Sequence, residues 1–403
     1  MIPSPNTRVC VVGLGYIGLP TAAVLASRGY TVHGVEVNPQ AVKIINSGKA
    51  HVIEPDLDIL VKAAVQTGKL KAYDKPAEAD VFMLCVPTPV DEHNGPDLSY
   101  VRSATETICD HLKPGNLVIL ESTSPPGTTE MIADIVKEKT GLTPDDVHFA
   151  HAPERVPGKI LREVVENDRV IGGINDAATQ AAGEFYKTFV TGELLLCRSR
   201  LAETTKLVEN ASRDVQIALA NELSLLCDEL DLDVRELIDM ANRHPRVNIL
   251  QPGCGVGGHC IAVDPWFLIH QSPKTTKLIR TAREVNNFKP RYVVQKVIAK
   301  ADRFKNPKIA CLGLAYKPDI DDLRESPALD IVRELQEKNV GELLVVEPNI
   351  HKLDGMALVP LDQALHEADI IVFLVPHAPF KKIHPKQLAE KITIDTCGVL
   401  HGR

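Results

Sequence analysis

The stretch Arg8-Val9-Cys10-Val11-Val12-Gly13-Leu14-Gly15-Tyr16-Ile17-Gly18 decides the fold of the first part of this chain. Its apolar, β-branched first half predicts a buried strand, and the spacing G-x-G-x-x-G predicts a tight turn into a helix. Glycine lets the backbone approach a pyrophosphate closely, and the N-terminus of the helix attracts its negative charge. We therefore expect a dinucleotide site on Gly13, Gly15 and Gly18.

A carboxylate follows at the distance that such a site requires. Glu36 lies near the end of the next apolar run, Thr31–Val37, and the expected separation from the glycines is about 20 residues. A carboxylate here accepts hydrogen bonds from ribose hydroxyls and repels a 2′-phosphate, which favours NAD over NADP. The alternative interpretation is a glycine turn that holds no ligand.

Strands and helices alternate along the residues that follow. Apolar runs at 79–87 and 117–121 predict further buried strands, with a helix over 99–112 between them. This alternation is typical of an α/β fold with a doubly wound parallel sheet.

The C-terminal part repeats the opening pattern. Lys308–Ala315 resembles the first strand and turn, Leu343–Glu347 resembles the second strand, and Glu367–Pro376 resembles Glu78–Pro87. Buried parallel strands all resemble one another, but the recurrence of three segments in the same order favours a second Rossmann-like domain.

A long segment without proline or glycine separates the two halves. Ser199–Leu230 has apolar residues at steps of three and four, which predict one long helix, and Val234–Ala241 predicts a second. Because such length is unusual in globular domains, we expect the long helix to join two domains and to pack against a partner chain. The predicted domains are residues 1–197, 198–300 and 301–403, the middle one helical.

The composition excludes several classes of function. The chain has 403 residues and a net charge of −8, which argues against a general nucleic-acid binder. No apolar run reaches the length of a membrane span, and Met1–Arg8 lacks the apolar core of a signal peptide. Nine cysteines without a CxxC pair indicate reduced thiols. We expect a cytoplasmic protein without a membrane partner.

The segment Gly253–Pro265, GCGVGGHCIAVDP, is the strongest candidate for chemistry. Its glycines bring backbone N–H groups close to a ligand, and the thiol of Cys260 can attack a carbonyl held there. Asp264 follows four residues later and favours a catalytic pocket. The alternatives are a buried structural thiol, or a metal site with Cys254 and His259. Since the sequence shows no second ligand pair at zinc spacing, we expect no metal.

Polar side chains share one face of the predicted long helix. Lys206, Asn210 and Arg213 are spaced i, i+4 and i+7. Lysine and asparagine together can stabilise a developing oxyanion, whereas the alternative is a solvated stripe.

Two segments follow predicted strands, where doubly wound sheets bind ligands. They are Val86–Pro89, which contains Thr88, and Glu121–Thr129. The alternative for the hydroxyls of Ser122 and Thr128 is helix capping.

Charged residues mark two further loops. Glu154 and Arg155 lie in a proline-rich loop, and Arg243–Asn248 is a small basic cluster in an acidic chain. The cluster can bind phosphate or a sugar, and its alternative is a set of surface ion pairs.

Four motifs together resemble those of the UDP-glucose/GDP-mannose dehydrogenase family. They are GLGYIGLP at Gly13–Pro20, PERVPG at Pro153–Gly158, GVGGHCIAVDP at Gly255–Pro265 and GLAYKPDIDDLRESP at Gly313–Pro327. The resemblance extends over essentially the whole chain. It implies an N-terminal domain that binds NAD, a C-terminal domain that binds UDP, and a long helix that builds a homodimer.

The resemblance also implies a reaction. The C6 alcohol of a UDP-sugar is oxidised twice, hydride passes to NAD, and Cys260 captures the aldehyde as a thiohemiacetal. A second hydride transfer gives a thioester, from which water releases the uronic acid, so two NAD are consumed per sugar. Relatives supply such acids for surface polysaccharide synthesis.

The family assigns roles to matching positions of this chain. Lys206 and Asn210 stabilise the oxyanion, and Asp264 supports water or base chemistry. Thr123 positions a water, and Glu154 assists hydrolysis of the thioester. The implied catalytic residues are Cys260, Lys206, Asn210, Asp264, Glu154 and Thr123. The implied NAD-binding residues are Gly13, Gly15, Tyr16, Ile17, Gly18, Glu36, Thr88, Thr123 and Arg324. The implied substrate-binding residues are Arg155, Val156, Lys206, Asn210, Arg213, His244, Arg246, Gly257, Tyr316 and Lys317.

The resemblance extends to the substrate. ANRHPRVNILQPG at Ala241–Gly253 and GGHCIAVDPWF at Gly257–Phe267 are most similar to family members that act on UDP-N-acetyl-D-mannosamine. UDP-N-acetylglucosamine and UDP-glucose are the alternative substrates; a two-electron dehydrogenase and a non-catalytic NAD-binding sensor are the alternative functions. Two positions depart from the family: Cys397 stands where relatives often have lysine or arginine, and Glu36 where aspartate is commoner.

Overall fold

The computed structural model of the protein describes residues 7–52, 54–155 and 160–401. The chain divides into two compact units. The first runs to Glu209 and includes Trp266–Gln271, and the second comprises Asn210–Pro265 and the residues from Ser272 onward. The division into three domains stays a prediction.

An eight-stranded sheet forms the centre of the first unit. Its strands are β1 Arg8–Val12, β2 Thr31–Val35, β3 Leu70–Tyr73, β4 Val81–Leu84, β5 Leu117–Leu120, β6 His148–His151, β7 Arg169–Gly173 and β8 Leu194–Arg198. They lie in the order β3-β2-β1-β4-β5-β6-β7-β8, which is a doubly wound arrangement. On β1, Val9 and Val11 face one apolar cluster while Cys10 and Val12 face another, so both faces of the sheet are buried.

Helices connect these strands. They are α1 Gly18–Ser27, α2 Pro39–Asn46, α3 Leu57–Gln66, α4 Ser99–Ile108, α5 Thr128–Thr140, α6 Ile160–Glu166 and α7 Asp176–Tyr186. The expectation of a wholly parallel sheet is wrong at one place, because β7 pairs with β6 in antiparallel fashion. Parallel pairing of β7 with β6 would need a connection that runs back along the whole length of β6. The helix between these two strands, α6, has 7 residues and is roughly 10 Å long. The longer α7 precedes β8, which is parallel to β7.

The second unit contains a four-stranded parallel sheet with helices. Its strands are β9 Lys308–Leu312, β10 Glu342–Val346, β11 Ile370–Phe373 and β12 Ile392–Asp395, in the order β10-β9-β11-β12. The remaining helices are α8 Ser199–Glu229, α9 Val234–Ala241, α10 Asp264–Gln271, α11 Lys277–Ala301, α12 Pro327–Glu337 and α13 Leu361–Glu367. The predicted long helix is confirmed as the 31 residues of α8, and the boundary between the two units falls within it.

Matching hydrogen bonds confirm that the two sheets repeat one design. Gly13 N donates to the carbonyl oxygen of Val35 at 2.9 Å, and Gly313 N donates to that of Val346 at 2.8 Å. The first residues of β1 and β9 also make the same kind of hydrogen bond. The backbone N–H of Arg8 donates to Asp80, just before β4, and that of Lys308 donates to Asp369, just before β11.

Two predicted elements are shorter than expected. The helix predicted over 99–112 ends at Ile108 and continues as a 3₁₀ turn, Cys109–His111. The strand predicted over 79–87 covers Val81–Leu84, and Pro87 beyond it cannot donate to a sheet. Within the described ranges, no helix combines the length and apolar character needed to cross a bilayer.

Candidate functional site

The glycine turn after β1 is required by packing at two positions and is open at the third. Gly13 has φ +90°, and an added Cβ would lie 2.6 Å from the Cys85 carbonyl oxygen. A Cβ on Gly18 would lie 1.8 Å from the Gly13 carbonyl oxygen. A Cβ on Gly15 would meet no described atom within 4 Å. Gly15 therefore leaves room for a ligand, as the close approach of a pyrophosphate requires.

The side chain of Glu36 is held beside this turn. Its Oε2 accepts a hydrogen bond from Leu14 N at 3.2 Å, and its Oε1 accepts one from Asn38 N at 2.9 Å. The residue is half-buried, so lone pairs remain for ribose hydroxyls. Tyr16 is exposed and Ile17 is half-buried at the start of α1, so both can line a bound cofactor.

Two predicted residues meet at the carboxyl ends of β4 and β5. Thr88 Oγ1 donates to the backbone carbonyl of Thr123 at 2.5 Å, and Ser122 Oγ donates to that of Val86 at 2.6 Å. The hydroxyl of Thr128 donates to the Pro125 carbonyl rather than capping α5. These bonds fix the loops at the edge of the sheet where ligands of doubly wound folds bind.

The N-terminus of α5 is capped by Glu203, which sequence reasoning missed. The Glu203 carboxylate accepts from Gly127 N at 2.7 Å, from Thr129 N at 2.8 Å and from Thr129 Oγ1 at 2.6 Å. Burial raises the pKa of Glu203 to about 7. Its partners lie more than 70 residues away along the chain, so no local pattern could indicate the cap.

Glu154 belongs to a buried cluster at the ends of β5, β6 and β7. Arg169 Nη2 donates to Glu154 Oε2 at 2.5 Å, and Arg155 N donates to Glu154 Oε1 at 2.7 Å. Tyr186 Oη donates to Glu121 Oε1 at 2.5 Å in the same cluster. Sequence reasoning found Glu154 but did not assign Arg169 or Tyr186, because each looks like an ordinary member of its strand or helix.

Arg155 is paired within the first unit. Its Nε donates to Glu209 Oε2 at 3.0 Å, and Nη2 lies 2.5 Å from Glu209 Oε1, so the pair is bidentate. A role in substrate binding would require Arg155 to serve both this carboxylate and the substrate. Val156, the next predicted residue, lies outside the described residues.

The loop that carries Cys260 ends in a turn at the start of α10. Asp264 N donates to the Cys260 carbonyl oxygen at 2.8 Å. The Asp264 side chain is 3% exposed, and its Oδ2 accepts from Asn210 Nδ2 at 2.5 Å. Two predicted catalytic residues, 54 positions apart, are therefore in direct contact. Lys206 lies four residues before Asn210 on α8 and is half-buried, whereas Arg213 is exposed.

Two cysteines share this segment and differ in environment. Cys260 is half-buried. Cys254 is 5% exposed, and burial raises its pKa to about 12, so it stays a protonated thiol. This difference favours Cys260 as the nucleophile, since the thiolate is the reactive form.

The glycines before Cys260 are required by close packing. A Cβ on Gly257 would lie 2.4 Å from the Glu325 carbonyl oxygen, and one on Gly258, at φ +79°, would lie 2.8 Å from the Tyr316 ring. The loop thus packs against the segment that contains Tyr316 and Lys317. Asn221 fixes its other end, because Gly253 N donates to Asn221 Oδ1 at 2.9 Å.

Three predicted ligand contacts lie elsewhere on the second unit. Arg324 Nη2 donates to Asp322 Oδ2 at 2.6 Å. His244 and Arg246 are exposed beyond α9, and Arg246 N donates to His244 Nδ1 at 3.2 Å. Cys397 lies in the loop after β12, where its backbone N–H donates to Asp395 Oδ1 at 3.1 Å.

The counterpart of Glu36 in the second sheet is not open to a ligand. Glu347 Oε2 accepts from Leu314 N at 2.7 Å, but it also lies 3.1 Å from Nε2 of the buried His377. Asn349 N and its side chain take the other oxygen of Glu347. The second sheet therefore repeats the fold of the first, but its carboxylate at this position is engaged by neighbouring side chains.

Comparisons with known proteins cover nearly the whole chain. Residues 7–190, 200–288 and 310–402 match the NAD binding, central and UDP binding domains of the UDP-glucose/GDP-mannose dehydrogenase family. A UDP-N-acetyl-D-mannosamine dehydrogenase of Campylobacter jejuni is 56% identical over 93% of this chain and 97% of its own length. An NDP-N-acetyl-D-galactosaminuronic acid dehydrogenase of Ralstonia solanacearum is 52% identical over 97% and 96%. The structure of a UDP-D-ManNAc dehydrogenase from Pyrococcus horikoshii has a TM-score of 0.90 and 41% identity, covering 98% of this chain and 96% of that one.

Proposed function

The chain belongs to the UDP-glucose/GDP-mannose dehydrogenase family, and from this premise we propose that it oxidises UDP-N-acetyl-D-mannosamine to UDP-N-acetyl-D-mannosaminuronate. The C6 alcohol loses four electrons in two steps, with one water and two NAD consumed. One observation carries the choice of sugar: relatives named UDP-N-acetyl-D-mannosamine dehydrogenase are 51–56% identical over at least 93% of the chain.

The first unit supplies the residues that fit the cofactor. The turn Gly13–Gly18 would hold its pyrophosphate and Glu36 its ribose hydroxyls, and the Glu36 carboxylate favours NAD over the 2′-phosphorylated form. When bound, the cofactor accepts the hydride of each oxidation. Thr88 and Thr123 hold the loops beyond β4 and β5 in place.

The proposed covalent chemistry centres on Cys260. Its sulfur attacks the C6 aldehyde, the carbonyl electron pair moves to oxygen, and Lys206 and Asn210 stabilise the charge that develops. Oxidation of this thiohemiacetal gives a thioester. Asp264 keeps the Asn210 amide in one orientation through their 2.5 Å hydrogen bond.

Water then releases the acid. Its oxygen attacks the thioester carbonyl, the carbon–sulfur bond breaks, and the electron pair returns to the sulfur of Cys260. We assign Glu154 as the base that takes the proton of this water and Thr123 as a residue that positions it. A covalent intermediate of this kind retains the reactive aldehyde until the second oxidation.

A panel of UDP-sugars tests the proposal. We expect NADH release from UDP-N-acetyl-D-mannosamine at two per sugar, with a uronate product by mass spectrometry. UDP-N-acetylgalactosamine is the second candidate substrate, because the Ralstonia relative named NDP-N-acetyl-D-galactosaminuronic acid dehydrogenase is 52% identical to this chain. UDP-N-acetylglucosamine and UDP-glucose complete the panel. One NADH per sugar would refute the four-electron route, and a clear preference for another sugar would refute the substrate.

We further propose that the enzyme is a cytoplasmic homodimer. Leu219 and Leu226 are exposed apolar residues seven positions apart on α8, and the exposed Leu230 directly follows its last residue, so the three form an apolar stripe. Exposed apolar patches of this kind mark interaction surfaces, and a second copy of the chain would cover this one. Nine free cysteines favour a reducing compartment.

A further inference from the structure

We propose that Arg169 is a positioning residue, whose guanidinium holds the Glu154 carboxylate in place for hydrolysis of the thioester. Glu121 competes with Glu154 for the same guanidinium. The inference rests on the proposed function, because it needs Glu154 to act as the base of that step. Arg169 would not touch the substrate; it acts through Glu154.

The geometry of Glu154 leaves it one orientation. Arg169 Nη2 donates to Oε2 at 2.5 Å, and the backbone N–H of Arg155 donates to Oε1 at 2.7 Å. A carboxylate held at both oxygens cannot rotate, yet each oxygen keeps a lone pair that can receive a proton from water. This is the arrangement that a general base needs.

Burial of the Arg169 guanidinium is unfavourable, so the stability of the fold does not explain its position. Arg169 is 1% exposed, and its Nε and Nη1 have no hydrogen-bond acceptor among the described residues. Burial of an incompletely paired charge is unfavourable. Such an arrangement is typical of a group kept for function, and its one short hydrogen bond is to Glu154.

Glu121 is a second carboxylate beside the same guanidinium. Its Oε1 lies 3.9 Å from Arg169 Nη1, and it accepts from Tyr186 Oη at 2.5 Å and from Cys85 Sγ at 3.4 Å. The guanidinium also lies over the Tyr186 ring, 5.4 Å from its centroid. Burial raises the pKa of Glu121. Hydrogen bonds from Tyr186 and Cys85 thus occupy the Glu121 carboxylate, and the Arg169 guanidinium remains available to Glu154.

The inference predicts which step fails when Arg169 is changed. Both oxidations precede the water attack, so they proceed, and the acyl group stays on the sulfur of Cys260. In Arg169→Gln we expect a burst of two NADH per site, then turnover slowed by roughly tenfold or more, since a general base contributes on the order of 100-fold or more. Intact-mass spectrometry should find the uronyl adduct on the enzyme.

Further variants separate positioning from damage to the fold. Arg169→Lys keeps the charge and should recover part of the hydrolysis rate, and Glu154→Gln should show the same burst as Arg169→Gln. Glu121→Gln removes the competitor and should hydrolyse at least as fast as the unchanged enzyme. Arg162→Gln is the matched surface control, because Arg162 is exposed and pairs with Glu166 on α6.

The outcomes distinguish this inference from the proposed function. If the unchanged enzyme makes one NADH per sugar, the proposed function fails. If it makes two, and Glu154→Gln accumulates the adduct while Arg169→Gln does not, the positioning role is wrong. An adduct in Glu121→Gln equal to that in Arg169→Gln would also overturn it. Should Arg169→Gln not fold, Arg169→Lys and Glu121→Gln decide the question by the same mass measurement.

Discussion

Individual side chains in this protein acquire their chemical character from burial. Cys254 and Cys260 are six residues apart, yet one is deeply buried with a raised pKa and the other half-buried before α10. Glu203 and Glu36 are both carboxylates that accept backbone N–H groups, but only Glu203 is fully buried. Residue type alone therefore does not distinguish a reactive group from a structural one.

The two cysteines give a matched test of the nucleophile. Cys260→Ser should abolish uronate formation, because an oxygen ester at this place is not turned over as the thioester is. Cys254→Ala should retain turnover and lose about 1–2 kcal/mol of stability, since it removes one buried atom group. Product mass and thermal unfolding measure the two effects. Normal uronate formation by Cys260→Ser would overturn the covalent route.

Glu203 predicts a dependence of stability on pH. Its pKa of about 7 lies above the ordinary value of 4.5, so between these values the folded protein holds a proton that the unfolded chain has lost. The stabilisation of the folded protein by protonated Glu203 is complete below pH 4.5 and is lost as pH rises to 7. Relative to Glu203→Gln, the unchanged protein should lose about 1–3 kcal/mol between pH 5 and pH 8.

Denaturant unfolding at the two pH values measures this difference. Glu138→Gln, at an exposed position of the same α5, is the control and should follow the unchanged protein. Parallel pH curves for Glu203→Gln and the unchanged protein would contradict the assignment.

At the scale of elements, the glycine turn and the strands around it show how local patterns become a site. The turn repeats in both sheets with the same hydrogen bond, yet Glu36 is open while Glu347 is engaged by His377. The same supersecondary unit therefore leaves its carboxylate open in one sheet and engaged in the other. The difference lies in what the surrounding loops supply.

Two glycines of the first turn should respond differently to alanine. Gly18→Ala should destabilise the first unit, because its Cβ would lie 1.8 Å from the Gly13 carbonyl oxygen. Gly15→Ala should leave the thermal midpoint unchanged and weaken NAD binding by roughly tenfold or more, about 1.4 kcal/mol, because its Cβ would occupy ligand space. Calorimetric titration with NAD and thermal unfolding test both. Unchanged NAD affinity in Gly15→Ala would place the pyrophosphate elsewhere.

At the scale of the whole molecule, the surface of the chain predicts that two copies associate. A 31-residue helix with an exposed apolar stripe is costly in water unless another surface covers it. Leu226→Asp should reduce the mass measured by light scattering from two chains to one. Ile59→Asp, at an exposed position of α3, should not change it. A single-chain mass for the unchanged protein would end the dimer proposal.

The amino-acid sequence by itself determined the two Rossmann-like sheets, the glycine turn, the long helix and the cysteine loop. These depend on periodicity and on glycine spacing within a few residues, which are properties of the local chain. Only the tertiary structure decided that β7 runs against β6, that Glu203 caps α5, that Arg169 holds Glu154 and that His377 engages Glu347. Apart from the strand pairing, each of these joins groups 15 to 76 residues apart. Such pairings depend on which charges are buried together, and burial is a property of the folded chain.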